Sequence, residues 1–244
     1  MQLQLSSWPE IEAYLRTSKA VLVPIGSTEQ HGPTGLLGTD AICPETIARM
    51  AGDEAGFLVG PTFNVGQSQH HMGFPGSMTL RPATMIAAIA DWTASLHRHG
   101  FERLYWLNGH GGNVATINAA FSAIYHDAGL AGASAPRCLL RNWWELAGVG
   151  ETIRTLFPSG EGHHATPSEI SLTWFAHPGA IKQAVLEPRI APLGPIHDAA
   201  DYRRRFPDGR IGSDPSQAGV EAGEKLAAAA VAALIAEFRQ FEAG

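Results

Sequence analysis

The chain has 244 residues, 45% of them hydrophobic and 16% charged, with a formal net charge of −6 when histidine is neutral. This composition supplies a full core and excludes a disordered or low-complexity chain. The acidic balance, with no basic run longer than Arg203–Arg205, excludes the electrostatic footprint of a nucleic-acid binder.

At the N-terminus, "MQLQLSSWPEIEAYL" has neither the basic start nor the apolar core of a signal peptide. The first apolar run, "AVLVPIG" (20–26), reads as a buried strand. The loop "STEQHGPTGLLGTD" (27–40) follows at once. Glu29 and His31 are two apart, so an extended backbone sends both side chains to one face, and the Gly- and Pro-rich turn must return Asp40 to them. Carboxylates with an imidazole are donors for Zn, Mn or Fe(II). The competing reading makes these acids helix caps, with Asp40 capping a helix over 44–55.

"FLVG" (57–60) is a second expected strand, and "NVGQSQHHMGFPGSMTL" (64–80) reads as a rim or lid carrying His70 and His71. A helix is expected over 82–100, opened by Pro82 and closed by Gly100. "RLYWLNG" (103–109) is a strand running into "NGHGGN", where His110 stands among glycines before a helix expected over 113–129. A phosphate loop is the alternative there. The spacing is not G-x-G-x-x-G and no Lys-Ser/Thr follows, so metal ligation by His110 is the better reading. "RCLLRN" (137–142) is a further strand, followed by Trp143 and Trp144.

"GEGHHATPSEIS" (160–171) brings Glu161, His163, His164 and Glu169, with Ser168 as a candidate cap. Glu169 in a first helical turn suits the helix dipole and is still free to aim at a cation. The proline-rich 186–216 reads as an irregular surface excursion. The last helix, about 217–241, aligns Leu226, Leu234, Ile235 and Phe238 on one stripe. Its apolar run Leu226–Ala236 is too short to span a bilayer, so no membrane partner and a cytoplasmic location are expected. Cys43 and Cys138 are read as ordinary part-buried thiols.

Strands alternating with helices predict an α/β fold with a mostly parallel sheet and helices on both faces. Ligands then bind at the carboxyl ends of the strands, where three of the polar clusters lie. Glu29, His31, Asp40, His110 and Glu169 together make the donor inventory of a two-metal hydrolase, in which paired ions polarise a carbonyl and supply hydroxide near neutral pH. His164 is left as a general acid or base.

"VPIGSTEQHGPTGLLGTD", "QHHMGFPGSMTL", "NGHGGN", "HATPSEIS" and "GRIGSDPSQAGVEAGEKL" resemble, in order and spacing, the creatininase (creatinine amidohydrolase) family, from about Trp8 to the C-terminal helix. The resemblance implies a three-layer α/β/α sandwich, here one domain over 1–244, and two divalent ions (Zn, Mn or Fe) per chain. It also implies hydrolysis of non-peptide C–N bonds in small amides and a homo-oligomer, often a hexamer. By match to the family's motifs, Glu29, His31, Asp40 and His110 are metal ligands, with Asp40 as the bridge. Glu169 matches the carboxylate of the His-Ala-Gly-x-x-Glu-Thr motif, and His164 matches its imidazole. In true creatininases the position of Gly112 carries a metal-binding Glu and that of Gly111 an aromatic residue. Here both are Gly, so Glu169 has to supply the missing carboxylate. Thr34 and Gly35 replace a His-Leu pair, and Thr166 replaces a Gly. These departures leave metal chemistry in place and argue against creatinine itself. His71, Trp143 and Trp144 are the expected substrate contacts. The rival expectation is a non-catalytic member of the fold that keeps the metal and serves in maturation or binding.

Overall fold

The computed structural model describes residues 1–244. The strands β1 (Ala20–Ile25), β2 (Arg103–Asn108) and β3 (Arg137–Asn142) form a parallel sheet in the order β1-β2-β3. Its register pairs Ala20 with Arg103 and Arg103 with Arg137. Eight α-helices surround it.

Alternation along the strands shows why both faces are covered. Ala20, Leu22, Tyr105 and Leu107 enter one core cluster, with α2 (Thr39–Ala55), α5 (Val149–Leu156), α6 (Pro167–Ala176) and α8 (Val220–Ala243). Val21, Val23, Ile25, Leu104 and Trp106 enter a second, with α3 (Pro82–Arg98) and α4 (Val114–Ala131). Side chains of period two, apolar on both sides, require a layer of helices on each face, which is the three-layer sandwich. The expected stripe on α8 is buried as a unit. The first helix, α1 (Trp8–Tyr14), sends Ile11 and Tyr14 against the second cluster.

Several expectations are corrected. "FLVG" is not a regular strand: Val59 and Phe63 make only isolated bridges to Leu22 and Ile25. Leu22 and the Pro24 carbonyl bond to this segment, so Pro24 turns its ring nitrogen to the same side, where it has no N–H to give, and the ladder breaks. The helix expected over 44–55 begins at Thr39, which places Asp40 in its first turn and Pro44 inside it. The helix expected to end at Gly129 runs to Ala131 and stops at Gly132, whose φ is 61°. The segment 186–216 is no mere surface excursion. It carries α7 (Ala199–Arg205), and it buries Tyr202, Arg210 and Ser213.

Candidate metal centre

The centre forms where the strands end. Glu29 and His31 leave the loop after β1, Asp40 opens α2, His110 follows β2, and Glu169 opens α6. Their convergence depends on close backbone packing. Pro44 has no N–H for the Asp40 carbonyl, and the strand ends pack tightly on that carbonyl. A Cβ added at Gly26 would lie 2.1 Å from the Asp40 oxygen, and one at Gly109 only 1.9 Å from it. Any side chain there would push α2 away from the sheet.

Glu29 and His31 are essentially inaccessible, at 0% and 1%, with Asp40 at 3% and His110 at 6%. His31 Nε2 lies 3.1 Å from Asp40 Oδ1 and 3.8 Å from Glu169 Oε2. His110 Nδ1 lies 3.1 Å from Asp40 Oδ2, and its Nε2 lies 3.3 Å from Glu29 Oε2. Three donor sets result, each within 4.8 Å: Glu29-Asp40-His110, His31-Asp40-Glu169 and Glu29-His31-His164. The first two share Asp40.

Backbone carbonyls fix the imidazole tautomers, because a carbonyl can only accept. His31 Nδ1–H donates to the Glu29 carbonyl at 3.0 Å and His110 Nε2–H to the Gln67 carbonyl at 2.9 Å. This leaves His31 Nε2 and His110 Nδ1 aimed at carboxylate oxygens. Buried Asp40 Oδ2 and Glu29 Oε1 have no hydrogen bond despite imidazole nitrogens near 3 Å. Two buried carboxylate oxygens are thus left for a cation, which would take the place of the protons that the facing imidazole nitrogens carry. The donor set therefore fits a pair of divalent ions.

The electrostatics agree. Burial alone would lower the His31 and His110 pKa values, but neighbouring carboxylates outweigh it and push both up to about 10. Burial, then repulsion from Asp40, raises Glu29 to about 8. Burial opposes ionisation of Asp40 too, yet His31 and His110 hold it well below the usual carboxylate range. Burial keeps His164 and His71 neutral.

Of the expected residues, all but His31 line one cavity of about 530 Å³. Trp143 and Trp144 stand in its wall, edge to face at 6.0 Å. Trp143 is 2% exposed and belongs to the core, whereas Trp144 is part-exposed. Of the expected rim pair, His70 is part-exposed but His71 is buried, with Nε2 3.0 Å from Glu29 Oε1. Thr166, not Ser168, caps α6. Its side chain accepts from Glu169 N–H, and Glu169 Oε1 accepts from Thr166 N–H at 2.6 Å. Glu169 is thus both a capping acid and a candidate ligand through Oε2. Ala165, beside His164, is fully buried with φ 56°, a left-handed conformation that costs about 1–3 kcal/mol in a non-glycine residue.

Gln30 was missed. Its amide donates to His71 Nδ1 at 3.0 Å and to the Gly209 carbonyl at 2.9 Å, its Oε1 accepts from Gly32 N–H, and its carbonyl accepts from His164 Nε2–H at 2.6 Å. Position between Glu29 and His31 was the only signal. Ser68, which donates to Glu29, and Tyr202, which donates to Gly209, were missed as well.

The creatininase family model, described as creatinine amidohydrolase, matches residues 4–238. Creatinine amidohydrolase of Pseudomonas putida is 29% identical over 160 residues, covering 63% of this chain and 62% of its own length. A mycofactocin precursor peptide peptidase of Mycolicibacterium smegmatis is 34% identical over 125 residues, 48% of this chain and 50% of its own. The matched part spans less than two thirds of either relative. A crystal structure of creatinine amidohydrolase superposes with a TM-score of 0.89 at 25% identity, covering 99% of this chain and 97% of that one. "Creatininase Mn" gives 0.84 at 25%, covering 99% and 98%.

Proposed function

The chain belongs to the creatininase family, and from that premise we propose that it is a metal-dependent amidohydrolase acting on a non-peptide C–N bond of a small amide, such as a cyclic amide or a formamide. The observation that carries this reading is the pair of donor sets that share Asp40. Glu29, Asp40 and His110 would hold one divalent ion, and His31, Asp40 and Glu169 the other. The chemistry that Zn, Mn or Fe ions would supply there is polarisation of a substrate carbonyl and a water pKa brought toward neutrality.

The chain's own groups do the rest. Asp40, opening α2 and packed on two glycines, keeps the two donor sets in fixed relation. His164 gives its Nε2–H to the Gln30 carbonyl, so Nδ1 is the atom that takes up a proton and returns it to the leaving nitrogen. Glu169 is anchored through Oε1 and presents Oε2 alone. Trp144 offers a flat apolar face to a planar amide, with Trp143 behind it, and His71 lines the same cavity. Gly111 and Gly112 leave that side without a side chain, which favours a substrate other than creatinine.

The peptidase relative supports a second reading, cleavage of a peptide bond. Assays with Zn- or Mn-loaded protein on cyclic amides, formamides, amidines and blocked peptides separate the two. Turnover of small amides, lost in Asp40→Asn, is the expected result. Turnover confined to peptides contradicts the non-peptide assignment, and none on any substrate at full metal loading points to a non-catalytic member. The same reading makes the molecule a cytoplasmic homo-oligomer, a hexamer being plausible on the family resemblance. Leu5 and Trp8, each 77% exposed, offer apolar surface for contact between copies. Light scattering on the eluted protein is expected to give a multiple of the chain mass, and a monomer contradicts this. No helix is long and apolar enough to cross a membrane.

A further inference from the structure

The cavity is lined by imidazoles, carboxylates, glycines and two tryptophans, and by a single permanently cationic side chain, Arg154. The Arg154 side chain makes no ion pair and no hydrogen bond. Of the acids on the cavity wall, Glu29, Asp40 and Glu169 belong to the candidate metal cluster, and Glu161 accepts from the Ser168 hydroxyl through Oε1 while its Oε2 is buried without a partner.

The direction of Arg154 follows from its helix. Side chains on a helix lean toward its N-terminus and cover the residue four positions back. For Arg154 on α5 that residue is Gly150. A Cβ added at Gly150 would lie 3.5 Å from Arg154 Nη1 and 3.9 Å from the Trp144 carbonyl oxygen. The guanidinium thus lies back along α5 beside the tryptophan turn, and Gly150 gives it the room.

We propose that Arg154 anchors a carboxylate of the substrate, so that the amide cleaved is an amido acid carrying its scissile C–N bond and a carboxylate in one molecule. The inference rests on the amidohydrolase reading and narrows its substrate class. A guanidinium presents paired N–H groups that match both oxygens of a carboxylate. The cavity volume suits a molecule of that size, whether a small formamido acid or the C-terminal end of a short peptide.

Calorimetry on the metal-loaded protein tests this with two matched pairs: N-formyl-β-alanine against its methyl ester, and an N-acetylated dipeptide against its C-terminal amide. The acid of at least one pair is expected to bind about tenfold more tightly than its neutral partner. Arg154→Ala removes that preference, Arg154→Lys keeps part of it, and Gly150→Leu weakens it by displacing the guanidinium. Metal content is unchanged in Arg154→Ala. Preference within the first pair assigns a small amido acid, and within the second a peptide end. No acid preference in either pair, or one that survives in Arg154→Ala, overturns the proposal. Hydrolysis of the same compounds is followed in parallel. Acid preference without turnover leaves the anchor standing and removes the amidohydrolase reading. Turnover without acid preference does the reverse.

Discussion

His31 and His110 carry protons in the metal-free protein because carboxylates face them, and both are held up to about 10 against the opposing effect of burial. An incoming ion must displace those protons, so the sign is fixed. Metal affinity rises with pH from about 6 to 9, and binding releases protons. Calorimetry in two buffers of different ionisation enthalpy checks this, and binding that neither releases protons nor depends on pH contradicts it. Gln30 makes a second residue-level prediction. Gln30→Leu removes the amide bonded to His71, Gly32 and Gly209, frees His71 beside Glu29, and is expected to lower metal affinity by less than about tenfold, below the loss for a direct partner of a ligand, as measured by competition with a chelator. The candidate donors that the fold brings together were legible in the sequence, because acids and histidines among glycines at strand ends have few structural uses. Gln30, Ser68 and Tyr202 were not legible, because their roles depend on which carbonyl or carboxylate lies across from them.

Two glycines of one motif separate the elements' needs. Gly109 sits under the start of α2, where a Cβ would also lie 2.7 Å from Pro44 Cδ, while a Cβ at Gly111 meets nothing within 4 Å. Gly109→Ala is expected to cost more than about 3 kcal/mol, or to prevent folding, through overpacking against backbone. Gly111→Ala should stay within about 0.5 kcal/mol of wild type. Denaturant titration of the two variants decides, and equal stabilities contradict the account of how α2 docks. The sequence announced α2 late, at residue 44, because a proline normally opens a helix. Here it lies inside one, and the Asp40 carbonyl it releases faces the strand ends. The capping role of Thr166 was hidden in the same way, since Ser168 is an equally good capping residue by type.

Across the whole molecule, the parallel sheet and its two helical layers were readable from strands apolar on both faces and from the long C-terminal stripe. The packing of 186–216 was not, because prolines and polar residues mark irregular backbone without saying what it covers. Arg210 shows the difference. It is fully buried, its Nε bonds Asp208 at 2.8 Å, and its guanidinium donates to the carbonyls of Pro188, Arg189 and Ser213. The segment read as a surface excursion is instead pinned on itself by this charge, and Ile211 and Ser213 bond the backbone of His164. The candidate donors come from four separate parts of the chain, so ions held by them would bind the folded state and not the unfolded one, and loading should raise the melting temperature.

Whether two ions share Asp40 is decided by metal analysis of protein loaded to saturation and then freed of excess ion. The wild type is expected to hold about two ions per chain, Glu169→Gln about one, and Asp40→Asn essentially none. Less than about one ion per chain in the wild type, or an Asp40→Asn variant that retains the wild-type content, contradicts the sharing.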